Sequence, residues 1–112
     1  MKREHNLRIQ DIKESVEGIL KSTEKVTEDE FYNTIILQMA VIRWLEIIGE
    51  AAKYVPAEVK MKYPNIPWKE MSAMRDVAIH DYAELIPGDI WKTIKKDIPL
   101  LKEELDKIET TP

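Results

Sequence analysis

The chain has 112 residues and no cysteine, so disulfide bonds and a structural zinc–thiolate site are excluded. The hydrophobic fraction of 44% and the charged fraction of 34% are typical of a well-solvated globular protein, and we expect one domain over residues 1–112. The net charge of −4 disfavours binding of nucleic acid across a broad surface, so any RNA contact has to come from a few local arginines and lysines.

The ends of the chain and its apolar runs give no sign of a membrane protein. The first residues, MKREH, are charged and lead into no apolar signal segment, and no apolar run approaches membrane-spanning length. The two histidines, His5 and His80, are separated by most of the chain, which argues against a histidine-rich metal site. We therefore expect a cytoplasmic protein with no metal, no cofactor and no membrane contact.

The hydrophobic periodicity is helical throughout, and no segment alternates strictly as a half-buried strand does, so the pattern predicts an all-α fold. The first helix is expected from about Asn6 to Ser22, with Asn6 as its N-cap. Gly18 inside this helix is expected to mark a close helix crossing. The core-facing residues at helical spacing are Ile9, Ile12, Val16 and Ile19.

A capping box over residues 27–30, TEDE, predicts the start of a second and longest helix that continues to about Tyr54. A helix that is apolar nearly all round is buried on more than one side, either by its own chain or by a partner subunit. We favour a partner, with a two-fold homodimer as the default. The apolar residues concerned are Ile35, Ile36, Leu37, Met39, Ala40, Val41, Ile42, Trp44, Leu45, Ile47 and Ile48.

Four polar residues form a separate line on this second helix: Arg43, Glu46, Glu50 and Lys53. The favoured interpretation is a solvated ridge of weak ion pairs. The alternative is that Glu46 or Glu50 supports a cationic side chain from a later helix. The candidates for that side chain are Arg75 and His80.

Proline marks the remaining helix boundaries. Pro56 and Pro67 each predict the start of a helix. A last helix is expected over about residues 89–108, with Pro99 bending it one turn earlier. The sequence therefore predicts a bundle of four or five helices.

The segment 71–82, MSAMRDVAIHDY, places four polar side chains on about three turns of the predicted helix. Asp76 and His80 are at i, i+4, where a carboxylate can hold an imidazole by a hydrogen bond. Arg75 and His80 are about 140° apart around the helix, so they cannot point the same way from one straight helix. At a two-fold axis, a second copy would supply the missing group.

Cleavage of a phosphodiester without metal needs a general base, a general acid and cationic donors at the phosphate. His80 can act as acid or base, and the planar fork of Arg75 fits phosphate oxygens. One histidine cannot fill both proton-transfer roles in one step, but a two-fold dimer would bring two copies of each residue. From spacing alone, such side chains on an amphipathic helix are more often ordinary surface residues.

Residues 75–82 resemble the R-x4-H-x-Y signature of HEPN-domain proteins of the HepT-like toxin family. The segment 43–52, RWLEIIGEAA, is similar to that family's second-helix segment, and Trp68 and Trp91 fit the pattern around the motif. The resemblance covers the chain from about residue 35 onward. One departure is Asp76, where the family often has asparagine.

The resemblance implies an all-α HEPN bundle that forms a homodimer through the long second helix and the motif helix. It implies a metal-independent RNA endonuclease cleft at the dimer interface, with Arg75 binding phosphate and His80 as general acid or base. It also implies a toxin whose partner, a minimal nucleotidyltransferase antitoxin of the MntA kind, transfers AMP from ATP to Tyr82. The residues expected to support the site are Asp76, Glu46 and Glu50.

Two other interpretations stay open at this stage. The chain could be a non-catalytic helical dimer that serves as a docking module for a nucleotidyltransferase. It could also be a purely structural helical protein, whose polar motif residues are incidental.

Overall fold

The computed structural model describes residues 3–84 and 88–108, and the side chains of residues 5–80 and 90–108. All regular structure in these ranges is helical, which confirms the predicted all-α fold. The helices are α1 (Arg3–Thr23), α2 (Glu28–Tyr32), α3 (Ile35–Tyr54), α4 (Ala57–Lys62), α5 (Trp68–Glu84), α6 (Gly88–Lys92) and α7 (Ile98–Leu105), and a π-helical turn (Thr93–Asp97) joins the last two.

Helix α3 lies at the centre of the bundle and packs against α1 on one side and α5 on another. Helix α7 returns along α1. The predicted α1 stripe, Ile9 to Ile19 at helical spacing, is fully buried in the shared core. No helix in the described ranges is long and apolar enough to cross a lipid bilayer.

The capping box predicted at the start of the second helix is present. The Thr27 hydroxyl accepts a hydrogen bond from the Glu30 backbone N–H at 3.1 Å, and the Glu30 carboxylate accepts one from the Thr27 N–H at 3.2 Å. Two of the N–H groups that a helix leaves unpaired at its start are therefore satisfied.

The prediction of one continuous helix to Tyr54 is wrong, because the chain breaks between α2 and α3 at Asn33 and Thr34. The side chains of both residues donate to backbone carbonyls one turn earlier, at 2.8 and 2.6 Å, and this competes with continued helix formation. Gln38 stabilises the break, since its Nε2 donates to the carbonyls of residues 31 and 32 at 2.9 Å each.

The prediction that Asn6 caps the first helix is also wrong. Helix α1 already begins at Arg3, and Asn6 lies buried inside it. Arg3 and Glu4 have good helix propensity, so the helix extends past Asn6 toward the N-terminus.

A π-helical turn, Thr93–Asp97, lies before Pro99, where the sequence predicts a bend of the last helix. Pro99 has no backbone N–H to donate one turn back, and the backbone N–H of Ile98 instead donates to the carbonyl of Thr93, five residues earlier. Ile94, within this turn, and Leu101, in α7, are both buried.

Gly18 marks the predicted close crossing, between α1 and α3. A Cβ atom at Gly18 would lie 2.6 Å from Cε2 of Trp44, closer than carbon atoms can pack. The absence of a side chain therefore lets the indole ring lie directly on the α1 backbone.

We predict that Gly18→Ala lowers the free energy of unfolding by about 1–2 kcal/mol, because steric overlap with Trp44 outweighs the gain in helix propensity. Urea unfolding of both forms measures the difference. In a Trp44→Leu background the same substitution should cost nothing. An equal loss in both backgrounds would contradict the assignment of the clash to the indole ring.

Candidate active site

Helix α5 carries the motif and is amphipathic. Arg75, Asp76 and His80 are all exposed. The residues that α5 buries are Trp68, Met71, Met74 and Ala78.

Tyr82 lies in the last described turn of α5. Its side chain is outside the residues whose surroundings the structure describes.

Gly49 positions Arg75. A Cβ atom at Gly49 would lie 2.7 Å from Cβ of Arg75 and 2.9 Å from its backbone nitrogen, so α3 and α5 are in direct backbone contact at this point. Gly49 was missed as a positioning residue. A glycine inside an apolar helical segment is the signal that points to such a contact.

Glu50, the next residue on α3, forms an ion pair with Arg75. The distance from Nε of Arg75 to Oε2 of Glu50 is 3.6 Å, and the two side chains are 47% and 49% exposed. The alternative interpretation of the polar line on α3 was that Glu46 or Glu50 supports a cationic side chain from a later helix. The ion pair with Arg75 shows this contact for Glu50. Glu46 is half-buried and makes no ion pair with Arg75 in the described part of the chain.

His80 follows Arg75 by five residues, and both are exposed on the same helix, about 140° apart around its axis. One chain therefore presents a guanidinium group that can bind an anion and an imidazole that can transfer a proton. Within the described residues, no three His, Asp or Glu side chains are grouped so as to hold a metal ion.

A groove of about 450 Å³ lies between α1 and α3, next to this ion pair. Glu50 belongs to its lining, together with Arg8, Arg43 and Trp44. Glu50 is therefore shared between the groove and the ion pair with Arg75.

The fold and the motif helix define an all-α domain that presents arginine and histidine on one exposed helix. The sequence matches the family described as ribonuclease HepT-like over residues 12–108. The chain therefore belongs to the HepT-like ribonuclease family. No solved structure matches it.

The relatives that the chain matches agree with this family. A protein of Thermococcus cleftensis named "probable ribonuclease HepT" is 44% identical over 108 residues, which are 96% of this chain and 98% of the relative. A "putative RNase" of Methanocaldococcus jannaschii is 39% identical over 105 residues, 94% of this chain and 96% of the relative.

A second M. jannaschii protein, named "gamma-glutamylcyclotransferase and putative RNase", is 47% identical over 108 residues. That match covers 96% of this chain but only 49% of the relative, so the chain spans about half the length of that protein.

We predict that Gly49→Ala destabilises the protein by about 3 kcal/mol, more than Gly18→Ala does. At Gly49 the obstacle is the backbone of Arg75, which cannot rotate away, and at Gly18 it is a side chain. Urea unfolding compares the two variants. A smaller loss for Gly49→Ala than for Gly18→Ala would contradict the proposed backbone contact.

Proposed function

We propose that this protein is a metal-independent endoribonuclease and the toxin of a toxin–antitoxin pair, formed by one HEPN domain over residues 1–112. The observation that carries the proposal is Arg75, held against α3 by Gly49 and paired with Glu50, with His80 exposed on the same helix. The family and the names of the relatives support ribonuclease activity.

The two motif side chains fit the chemistry of RNA cleavage. A base removes the proton of the 2′-hydroxyl, the 2′-oxygen bonds to phosphorus, and the bond to the 5′-oxygen breaks as an acid gives that oxygen a proton. His80 supplies the acid or base, and Arg75 stabilises the charge on the phosphoryl oxygens.

Glu50 supports the site by holding the Arg75 side chain while no RNA is bound. A surface ion pair of this kind contributes only about 0–1 kcal/mol. Charge-assisted bidentate hydrogen bonds to a phosphate are stronger, so the RNA backbone can take the guanidinium from Glu50. Asp76, one turn before His80, is proposed to orient the imidazole.

A homodimer through α3 and α5 would complete the cleft, because each chain has one histidine in the motif. Exposed apolar side chains on these helices support a partner there: Ile35 is 71% exposed, Ile36 is 81% exposed, and Met39 and Ile79 are also exposed. Exposed large apolar side chains are typical of interaction surfaces when they lie together. Two chains would bring two Arg75 and two His80 to one cleft.

The proposed regulation acts on Tyr82, which follows Arg75 by seven residues, about 10 Å along α5. A nucleotidyltransferase antitoxin of the MntA kind would move AMP from ATP to the tyrosine oxygen and release pyrophosphate. The added phosphate group would place negative charge near Arg75 and oppose binding of the RNA backbone.

We predict that the purified protein cuts RNA in the presence of a chelator, and that Arg75→Ala or His80→Ala lowers the rate at least 100-fold. Gel analysis of a labelled RNA measures cleavage. Lys69→Ala is the matched control, because it removes one exposed positive charge from the first turn of the same helix. Full cleavage by both motif variants would contradict the proposed roles.

Mixing the two inactive variants tests the shared cleft. Heterodimers of Arg75→Ala and His80→Ala chains keep one arginine and one histidine, so we expect partial activity to return.

Cleavage of no RNA by the wild-type protein, together with a stable complex with the antitoxin, would instead favour the docking module.

We predict that co-expression with the antitoxin raises the intact mass of the toxin by one or more AMP groups, and that Tyr82→Phe abolishes the increase. Tyr63→Phe is the control, because it removes a hydroxyl from a tyrosine outside the motif. Mass spectrometry of the purified chains gives the result. An unchanged increase in Tyr82→Phe would show modification at another residue.

A further inference from the structure

The C-terminal end of α3 carries an aromatic side chain flanked by two cations. The ring of Tyr54 is 51% exposed. The guanidinium carbon of Arg8 lies 4.7 Å from the ring centroid, and Nζ of Lys53 lies 6.0 Å from it. Among the described side chains, neither cation forms an ion pair with a carboxylate.

This cluster lies close to the proposed cleavage site. Tyr54 follows Glu50 by four residues, so the two lie on the same side of α3, about 6 Å apart along its axis. Glu50 is the partner of Arg75, and both Glu50 and Arg8 line the groove between α1 and α3. A single RNA strand bound at Arg75 would therefore pass next to the Tyr54 ring.

We propose that Arg8, Lys53 and Tyr54 form a second nucleotide-binding position, which holds a nucleotide next to the one at Arg75. The exposed part of the Tyr54 ring stacks on the base, and Arg8, whose guanidinium carbon lies 4.7 Å from the ring centroid, binds the phosphate. This inference rests on the proposed ribonuclease function for its ligand, a single-stranded RNA.

The charge of the protein favours such a local site. The net charge of −4 disfavours attraction of RNA across a broad surface, so cations without a carboxylate partner among the described side chains, such as Arg8 and Lys53, would add to the contact that Arg75 makes. The lining of the groove has two arginines, Arg8 and Arg43, and three carboxylates, Asp11, Glu14 and Glu50. At Tyr54, two cations lie within 6.0 Å of the ring centroid, Arg8 and Lys53. Stacking on an aromatic ring is tolerant of base identity, so the position adds affinity more than sequence preference.

The test is binding of a fluorescein-labelled RNA decamer with methylated 2′-hydroxyls, which the protein cannot cut. We expect Tyr54→Ala and Arg8→Ala each to weaken binding about tenfold in fluorescence anisotropy. Tyr54→Phe keeps the ring and should bind within about twofold of wild type. The matched control is Lys21→Ala, which removes an exposed cation at the far end of α1 and should also have no effect.

The dependence of binding on salt separates the two roles. Arg8→Ala should reduce the slope of log K against log[salt] by about 0.7, the value for one phosphate contact on a single strand. Tyr54→Ala should leave that slope unchanged, because stacking releases no counterion. Circular dichroism confirms that each variant is folded.

The outcomes distinguish this inference from the proposed function. If wild type cuts RNA but Tyr54→Ala binds the decamer as tightly as Lys21→Ala, the second position is wrong and the nuclease stands. Wild-type protein could instead cut no RNA but bind the decamer more tightly than Tyr54→Ala and Arg8→Ala do. The second nucleotide-binding position would then be supported, and the proposed nuclease activity would be wrong. A wild-type protein that does not bind the decamer overturns the position as well.

Discussion

The backbone contact between α3 and α5 at Gly49 is the constraint on which the candidate site depends. Because Gly49 has no side chain, α5 lies directly on α3 at Arg75, and the adjacent Glu50 reaches the guanidinium group. A larger residue would push the helices apart, because its Cβ atom would lie 2.7 Å from Cβ of Arg75. The arginine and its carboxylate partner would then be held apart, although neither had been changed. Gly49 thus determines where Arg75 lies, although glycine has no side chain that could take part in a reaction.

Local signals in the sequence were sufficient for much of the fold. Apolar residues three and four apart predicted the buried face of α1, since a helix of 3.6 residues per turn brings such positions to one side. The capping box at Thr27 and Glu30 and the irregular turn before Pro99 were also predictable, because each depends on atoms within one or two turns. What these features share is that no distant part of the chain is needed to form them.

The errors arose where side chains compete with the backbone or where distant segments meet. The side chains of Asn33 and Thr34 end α2 by donating hydrogen bonds to backbone carbonyls one turn earlier. The apolar pattern that follows continues at helical spacing and does not predict this break. The pairing of Glu50 with Arg75 was only one of two interpretations, because it depends on how far α5 is shifted along α3. The contact at Gly49 sets that shift. The hydrophobic periodicity of α3 and α5 does not specify where along the two helices this contact forms.

The weakness of the Arg75–Glu50 pair is what makes an acidic protein compatible with binding of RNA. A buried pair would hold the guanidinium so firmly that a phosphate could not replace the carboxylate. Here both side chains are about half exposed, so water screens their attraction. The carboxylate orients the arginine, but a competing anion needs little free energy to replace it. In the proposed function, carboxylates elsewhere on the surface would repel RNA from other positions, and the cations near α3 would bind it. Under this arrangement the negative net charge restricts where RNA binds and does not prevent binding.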